Sequence, residues 1–166
     1  YQLLNTGKRT GSKLSIIESG RKINENMPER VIELTSDAFK ECKKSIGNSE
    51  ILILGVSYKP DVKDIQLSPA GHIIRKLQDL GANIHIYDPY FSSSQVFGIT
   101  SEDNIEDIIS KVDAAIIVTG HDEFKKLQIH TFTKMQHPIL IDTRGIIDPS
   151  IAKQEKLIFR GLGRGN

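Results

Sequence analysis

Ile51-Leu52-Ile53-Leu54-Gly55-Val56-Ser57-Tyr58-Lys59-Pro60, followed by Asp64 and Ser68-Pro69, is the stretch that decides the fold. Residues 51–56 are apolar or glycine throughout, which predicts a strand buried on both faces, as in a parallel sheet. After the glycine the chain offers a lysine to something negative. Ser68-Pro69 is a helix start, with serine as cap and proline at the first helical position. Strand, glycine, cation and helix, in that order, is how an open parallel sheet builds a phosphate site.

Working outward, the pattern repeats. The helix after Pro69 carries Ile73, Ile74, Leu77 and Leu80 and stops at Gly81. Asn83–Tyr87 reads as a second strand closed by Asp88-Pro89, residues 105–110 as a helix, and 114–118 as a third strand ended by Thr119-Gly120. Residues 122–127 form a short helix. Ile139–Asp142 is a fourth strand ended by Arg144-Gly145, and 157–159 a candidate fifth. Short apolar strands alternating with helices predict an α/β protein with a Rossmann-like, doubly wound parallel sheet.

Upstream, residues 13–44 read as a long helix. Ile16, Gly20, Ile23, Met27, Val31, Leu34, Ala38 and Cys42 recur at steps of three or four, the spacing of a seam on one helical face. Pro28 interrupts it and should kink the helix or start a second one, capped by Asn24 or Asn26. Such a seam suits a dimer or interdomain contact, or packing on its own domain; the spacing leaves both open. The chain starts at Tyr1 within Tyr-Gln-Leu-Leu-Asn, which looks like the middle of an element, so a piece of a longer protein is expected.

Composition removes other classes. A chain of 166 residues suits one domain plus an extra element. With 22 basic against 21 acidic residues, net charge +1 and no basic stripe, nucleic acid is not an expected partner. No apolar run approaches the ~20 residues that span a bilayer, so no membrane is expected, and no signal peptide is visible. The single cysteine, Cys42, excludes an internal disulfide and a multi-cysteine metal site. Together these favour a cytoplasmic protein. Cys42 lies on the apolar seam and reads as buried and inert.

Ligands of open parallel sheets bind beyond the carboxyl ends of the strands. That rim carries Ser57, Tyr58 and Lys59, then Asp88, then Thr119 and His121, then Thr143 and Arg144. Lys59 as a compact charge and Arg144 as a planar fork suit a diphosphate. Their plainer readings are a solvated lysine and a salt bridge from Arg144 to Asp142 or Asp148. The dinucleotide fingerprint is missing, because Gly55 is followed by Val56, Ser57 and Tyr58 rather than by further spaced glycines. Tyr58 and Pro60 would block a pyrophosphate from the backbone. The sheet is therefore not expected to be a primary NAD site, and Asp88 reads as a turn former. His72, His85, His121, His130 and His137 show no ligand spacing, so no metal is expected; His121 alone is kept as a site candidate. The glycine-rich tail is expected to be a flexible terminus.

These residues carry a resemblance. Gly55 to Pro60, Asp64, Ser68-Pro69, Gly81-Ala82 and Tyr87-Asp88-Pro89 resemble the C-terminal domain of the UDP-glucose/GDP-mannose dehydrogenase family. Thr119 to Phe124, Ile141 to Arg144 and Gly161-Leu162-Gly163-Arg164-Gly165 extend it, and Arg21, Ile23-Asn24 and Met27-Pro28 resemble the helix joining the two halves of these enzymes. Tyr-Lys-Pro and the Asn24…Met27-Pro28 helix are most similar to the branch acting on UDP-N-acetyl-D-mannosamine.

The resemblance implies oxidation of the C6 alcohol of a nucleotide sugar to a carboxylate with two NAD. It implies a homodimer through the helix of region 1–48 and a nucleotide-sugar (UDP) binding domain over 49–166. An NAD-binding domain with the catalytic cysteine would lie upstream of Tyr1, leaving this piece inactive alone. Tyr58, Lys59 and Arg144 match family residues that contact the UDP-sugar. Gln66 stands where the family has an arginine that reaches toward NAD; it can donate hydrogen bonds but has no charge. Sister readings are enzymes for UDP-glucose, UDP-N-acetylglucosamine or GDP-mannose. A free-standing nucleotide-binding module is a further alternative.

Overall fold

The structure, a computed structural model, describes residues 2–164. In chain order its elements are α1 (Gln2–Arg9), α2 (Ser15–Glu25), α3 (Met27–Glu41), β1 (Glu50–Leu54), α4 (Ala70–Asp79), β2 (Asn83–Tyr87), β3 (Gln95–Val96) and β4 (Ile99–Glu102). There follow α5 (Ile105–Ile108), β5 (Ala114–Ile117), α6 (Asp122–Lys126), β6 (Ile139–Asp142), α7 (Pro149–Gln154) and β7 (Ile158–Gly161), with 3₁₀ turns at Ile109–Lys111 and Ile129–Lys134.

The continuous apolar run of β1 has the predicted cause. Ile51 and Ile53 join a core with α3 and α4, whereas Leu52 and Leu54 join a second core under α5, α6 and α7. The same alternation divides Ala114 and Ile116 from Ala115 and Ile117, and Ile139 and Ile141 from Leu140. Successive side chains of a strand point to opposite faces, so a sheet covered on both sides needs apolar residues at every position.

Seven strands lie in the order β3-β4-β2-β1-β5-β6-β7. All pairings are parallel except β3 with β4. Chain direction along the sheet reverses between β1 and β5, the switch point at which doubly wound folds place ligands. The α/β, Rossmann-like expectation holds.

Ser68 Oγ accepts the Ala70 N–H at 3.2 Å just ahead of α4, but the cap position itself falls on Pro69 rather than on the serine; Leu80 and Gly81 end the helix. The β3–β4 hairpin was not foreseen. Its two turn residues, Phe97 and Gly98, have φ of 51° and 82°, as a tight hairpin with two left-handed residues demands. Phenylalanine is an unusual first residue there, so no turn signal was visible. Its ring lies on α4, where a Cβ on Gly71 would come within 2.7 Å of it. α7 was also missed, although Asp148 accepts the Ser150 N–H and Pro149 opens the helix.

The long seam divides at Asn26. Pro28 stands in the first turn of a second helix, as expected, but Asn26 occupies the cap position without a side-chain cap bond. Val31, Leu34, Thr35, Ala38 and Phe39 of α3 are buried, packed toward α4, β6 and β7. α2 buries no residue, and Ile16 and Ile23 are 87% and 61% exposed. Cys42 is half-buried against the α3 core, and burial pushes its thiol up, away from nucleophilic character.

The tail departs from the flexible-terminus expectation as far as Arg164. Leu162 N–H bonds to the Asp142 carbonyl and Arg164 N–H to that of Gly161. Gly165 and Asn166, like Tyr1, lie outside the described residues.

Candidate functional site

Gly55 ends β1 with φ of 81°, and a Cβ there would stand 2.6 Å from Thr119 Cβ and 2.8 Å from Thr119 O. The glycine therefore serves the contact between the loops after β1 and β5. Thr119 Oγ1 donates to the Ser57 carbonyl at 2.6 Å across that contact.

The next backbone amides already have an anion. Val56 N–H, Ser57 N–H and Ser57 Oγ–H donate to Asp88 Oδ2 at 2.8, 3.1 and 3.0 Å, and Tyr90 N–H to Asp88 Oδ1 at 2.9 Å. His121 Nε2 lies 3.1 Å from the same Oδ2. Both side chains are fully buried. Burial by itself would raise the Asp88 carboxyl; the His121 and backbone hydrogen bonds outweigh it and hold the group below its ordinary value. Asp88 is thus more than a turn former. It fills, from within the protein, the amide concavity that a phosphate occupies in other sheets.

Besides Asp88, three contacts place His121. Its Nδ1 accepts the Asp61 N–H at 2.9 Å, which leaves the ring proton on Nε2 for Asp88. Its ring lies between Tyr90 and Phe124, with centroids at 5.2 and 5.3 Å. Asp61 Oδ1 in turn accepts the Asp122 N–H at 3.1 Å.

Tyr58 and Lys59 project from this framework. Tyr58 is 49% exposed, and Lys59 Nζ lies 5.5 Å from the centre of its ring, a cation–π distance. Lys59 makes no ion pair among the described residues.

At the end of β6 a second buried carboxylate does similar work. Asp142 Oδ1 accepts from Arg144 and Gly145 N–H at 2.8 Å each, and Oδ2 from Ile147 N–H at 2.9 Å. Asp148 Oδ1 caps Ser150 at 2.7 Å. The salt-bridge reading of Arg144 fails because these carboxylates serve backbone amides. Arg144 is exposed and makes no ion pair among the described residues. Its stem lies over Gly120, where a Cβ would come 3.4 Å from Arg144 Cβ. Thr143 turns inward, Oγ1 donating to the Ile117 carbonyl at 2.8 Å. From the tail, Arg164 Nη2 and Nη1 donate to the Gly145 and Ile147 carbonyls at 2.8 and 3.2 Å.

Only β5 separates β1 from β6, so the Lys59 and Arg144 loops leave the sheet about 10 Å apart, two strand spacings. The β5 loop lies between them, touching one through Thr119 and His121 and the other through Gly120. Gln66 is exposed in the loop before α4, its N–H donating to Asp64 Oδ1 at 2.8 Å. Sequence reasoning named the exposed candidates but missed the anchoring parts of Asp88, Asp142 and Arg164. An aspartate at or just after a strand end was the available signal for the first two.

The profile of the UDP-glucose/GDP-mannose dehydrogenase family, UDP binding domain, matches residues 52–149, which is more than half of the chain. The chain belongs to this family. UDP-N-acetyl-D-mannosamine dehydrogenase of Pyrococcus horikoshii is 32% identical over the whole chain. UDP-glucose 6-dehydrogenase AglM of Haloferax volcanii is 28% identical over 96% of it. The chain spans 37% and 36% of the lengths of these two relatives.

Solved structures of similar chains agree in fold. A UDP-D-ManNAc dehydrogenase from Pyrococcus horikoshii superposes with a TM-score of 0.83 at 30% identity, over 96% of this chain and 36% of the other. An NDP-N-acetyl-D-galactosaminuronic acid dehydrogenase from Methanosarcina mazei Go1 gives 0.88 at 25% identity, over 99% and 36%.

The family implies NAD, and the β1 crevice of this chain does not fit its pyrophosphate. The Val56 and Ser57 amides are held by Asp88, the Tyr58 N–H bonds to the Asp64 carbonyl at 2.6 Å, and Gly55 is packed against Thr119.

Proposed function

We propose that this chain is the UDP-binding part of an NAD-dependent nucleotide-sugar 6-dehydrogenase, with UDP-N-acetyl-D-mannosamine as the substrate. The carrying observation is the pair of exposed cations, Lys59 and Arg144, without an ion pair among the described residues, on loops flanking the switch point whose backbones are fastened by buried aspartates. Fixed loops place both charges without ordering the backbone again on binding, and a diphosphate bridging them is held by charge-assisted hydrogen bonds. Tyr58 adds an exposed ring beside Lys59 for contact with the UDP-sugar. The sugar assignment is supported by the 32% identity to the UDP-N-acetyl-D-mannosamine enzyme, against 28% for the UDP-glucose enzyme.

The proposed whole-protein reaction takes the C6 alcohol to a carboxylate, with NAD accepting the hydrides. Residues of this chain hold the diphosphate end and do no redox chemistry; the raised thiol of Cys42 agrees with that. Gln66 is proposed as an uncharged hydrogen-bonding contact to NAD. Residues 1–48 are proposed as the connecting and dimerising region, with the exposed Ile16 and Ile23 of α2 covered by a second copy, and 49–166 as the UDP-binding domain. A cytoplasmic location is proposed with it; no helix among the described residues is long and apolar enough to cross a membrane.

Calorimetric titration with UDP tests the reading. Lys59→Ala and Arg144→Ala should each weaken binding by about 1–3 kcal/mol. Unchanged affinity in both rejects the site. Sedimentation tests the dimer: Ile16→Glu with Ile23→Glu should give a monomer, and a monomeric parent chain at high concentration rejects the interface.

A further inference from the structure

Tyr58-Lys59-Pro60 is a short bridge fastened at both ends to one buried pair of side chains. Ahead of it, Ser57 donates its N–H and hydroxyl to Asp88 and its carbonyl accepts from Thr119. Behind it, the Asp61 N–H donates to His121 Nδ1. His121 Nε2 closes the circuit at Asp88 Oδ2. Pro60 limits rotation within the bridge. Neither Asp88 nor His121 is exposed, so neither can touch a ligand directly.

We infer that His121, paired with Asp88, is the positioning residue of the Tyr58–Lys59 substrate loop, presenting both side chains to the UDP-sugar diphosphate. This rests on the reading of Tyr58 and Lys59 as substrate contacts. The two ring nitrogens have separate jobs. Nδ1 tethers the loop's far end, and Nε2 fastens the ring to the carboxylate that holds the near end. The tautomer with its proton on Nε2 performs both. His121 belongs to the β5 loop, whose Gly120 also lies under the Arg144 stem. One loop thereby sets the Lys59 segment and supports the second cation.

Two substitutions separate the jobs. Asparagine places its side-chain oxygen near the position of Nδ1, and glutamine places its amide nitrogen near that of Nε2. His121→Asn should keep the Asp61 tether and His121→Gln should lose it. UDP is titrated into the wild-type chain, both variants and Lys59→Ala, with thermal melts to confirm folding. Glutamine is expected to weaken UDP about tenfold, equivalent to about 1.4 kcal/mol, and asparagine much less. Trypsin should also cut after the exposed Lys63 faster in the glutamine variant, a loop-specific change that a general loss of stability would not produce in a protein with an unaltered melt.

Lys59→Ala weakening UDP while glutamine binds like wild type overturns this inference and leaves the site reading standing. Equal weakening by asparagine and glutamine, with no faster cleavage after Lys63 in the glutamine variant, also overturns it. No UDP binding by the wild-type chain, or no effect of Lys59→Ala, removes the site reading first. Should the glutamine variant not fold, hydrogen exchange of the wild-type protein decides. The Asp61 amide should exchange slowly although the residue is exposed, and fast exchange overturns the tether.

Discussion

The two cation-bearing loops are fastened in contrasting ways. The Arg144 loop is held by its own strand, because Asp142 accepts amides two, three and five residues further on. The Lys59 loop is held from elsewhere: Asp88 comes from the end of β2 and His121 from the loop after β5. A local anchor forms as soon as its turn does. A remote anchor exists only when three strands have paired. The Lys59 loop is therefore tied to the integrity of the whole sheet, and the Arg144 loop much less.

Removing each anchor sharpens that contrast, and the largest effect is expected at the remote one. Asp88→Ala strips the acceptor from Val56, Ser57, Tyr90 and His121 and should cost about 3–5 kcal/mol in urea unfolding. Asp142→Ala removes the acceptor from three backbone amides, two of them only partly buried, and about 2–3 kcal/mol is expected. Equal losses, or a larger one at Asp142, would break the comparison.

Acid gives a gentler probe. The Asp88 carboxyl is held below its ordinary value of 3.8, so it stabilises the fold fully above that pH and loses its contribution as pH falls through the lowered value. The stability gap between wild type and Asp88→Asn should narrow as pH drops below about 4. A gap that widens contradicts the depressed carboxyl. Asp113 at the opposite end of the sheet adds the same sign: burial alone would raise it, but Lys44, the Glu50 amide and His137 hold it down. The narrowing must therefore be read against the Asn variant rather than from wild type alone.

The smallest effect should come from Arg164→Ala. It removes the two bonds from the tail to the Gly145 and Ile147 carbonyls, worth about 1 kcal/mol, and should loosen only the Arg144 loop. UDP affinity should fall modestly while trypsin cleavage at Lys63 stays unchanged. A change at Lys63 would show that the two loops move as one.

Legibility in the sequence followed the range of the interaction. Lys59 and Arg144 were readable because a strand end is marked by local hydrophobicity and the rim rule needs nothing more. His121 is marked by the same rule. The function of Asp88 was not readable, since a carboxylate in Asp-Pro resembles any turn residue until β2 is placed beside β1. The tail looked flexible because glycines carry no pattern, yet pairing of β7 with β6 draws Arg164 over Gly145. Phe97 hid its hairpin because a left-handed phenylalanine needs the space left by Gly71 on a different element.

By itself the sequence determined the sheet class, the double coverage of its central strands, the break at Pro28 and the exposed charges, all set by periodicity and local backbone chemistry. It also carried the family resemblance through its ordered motifs. Tertiary structure alone decided that the seam buries α3 and leaves α2 open, that Gly55 serves a loop contact, and that the amide concavity after β1 is filled by Asp88. Those outcomes depend on which strand ends become neighbours, and contacts between residues about thirty or sixty positions apart leave no periodic trace in a single chain.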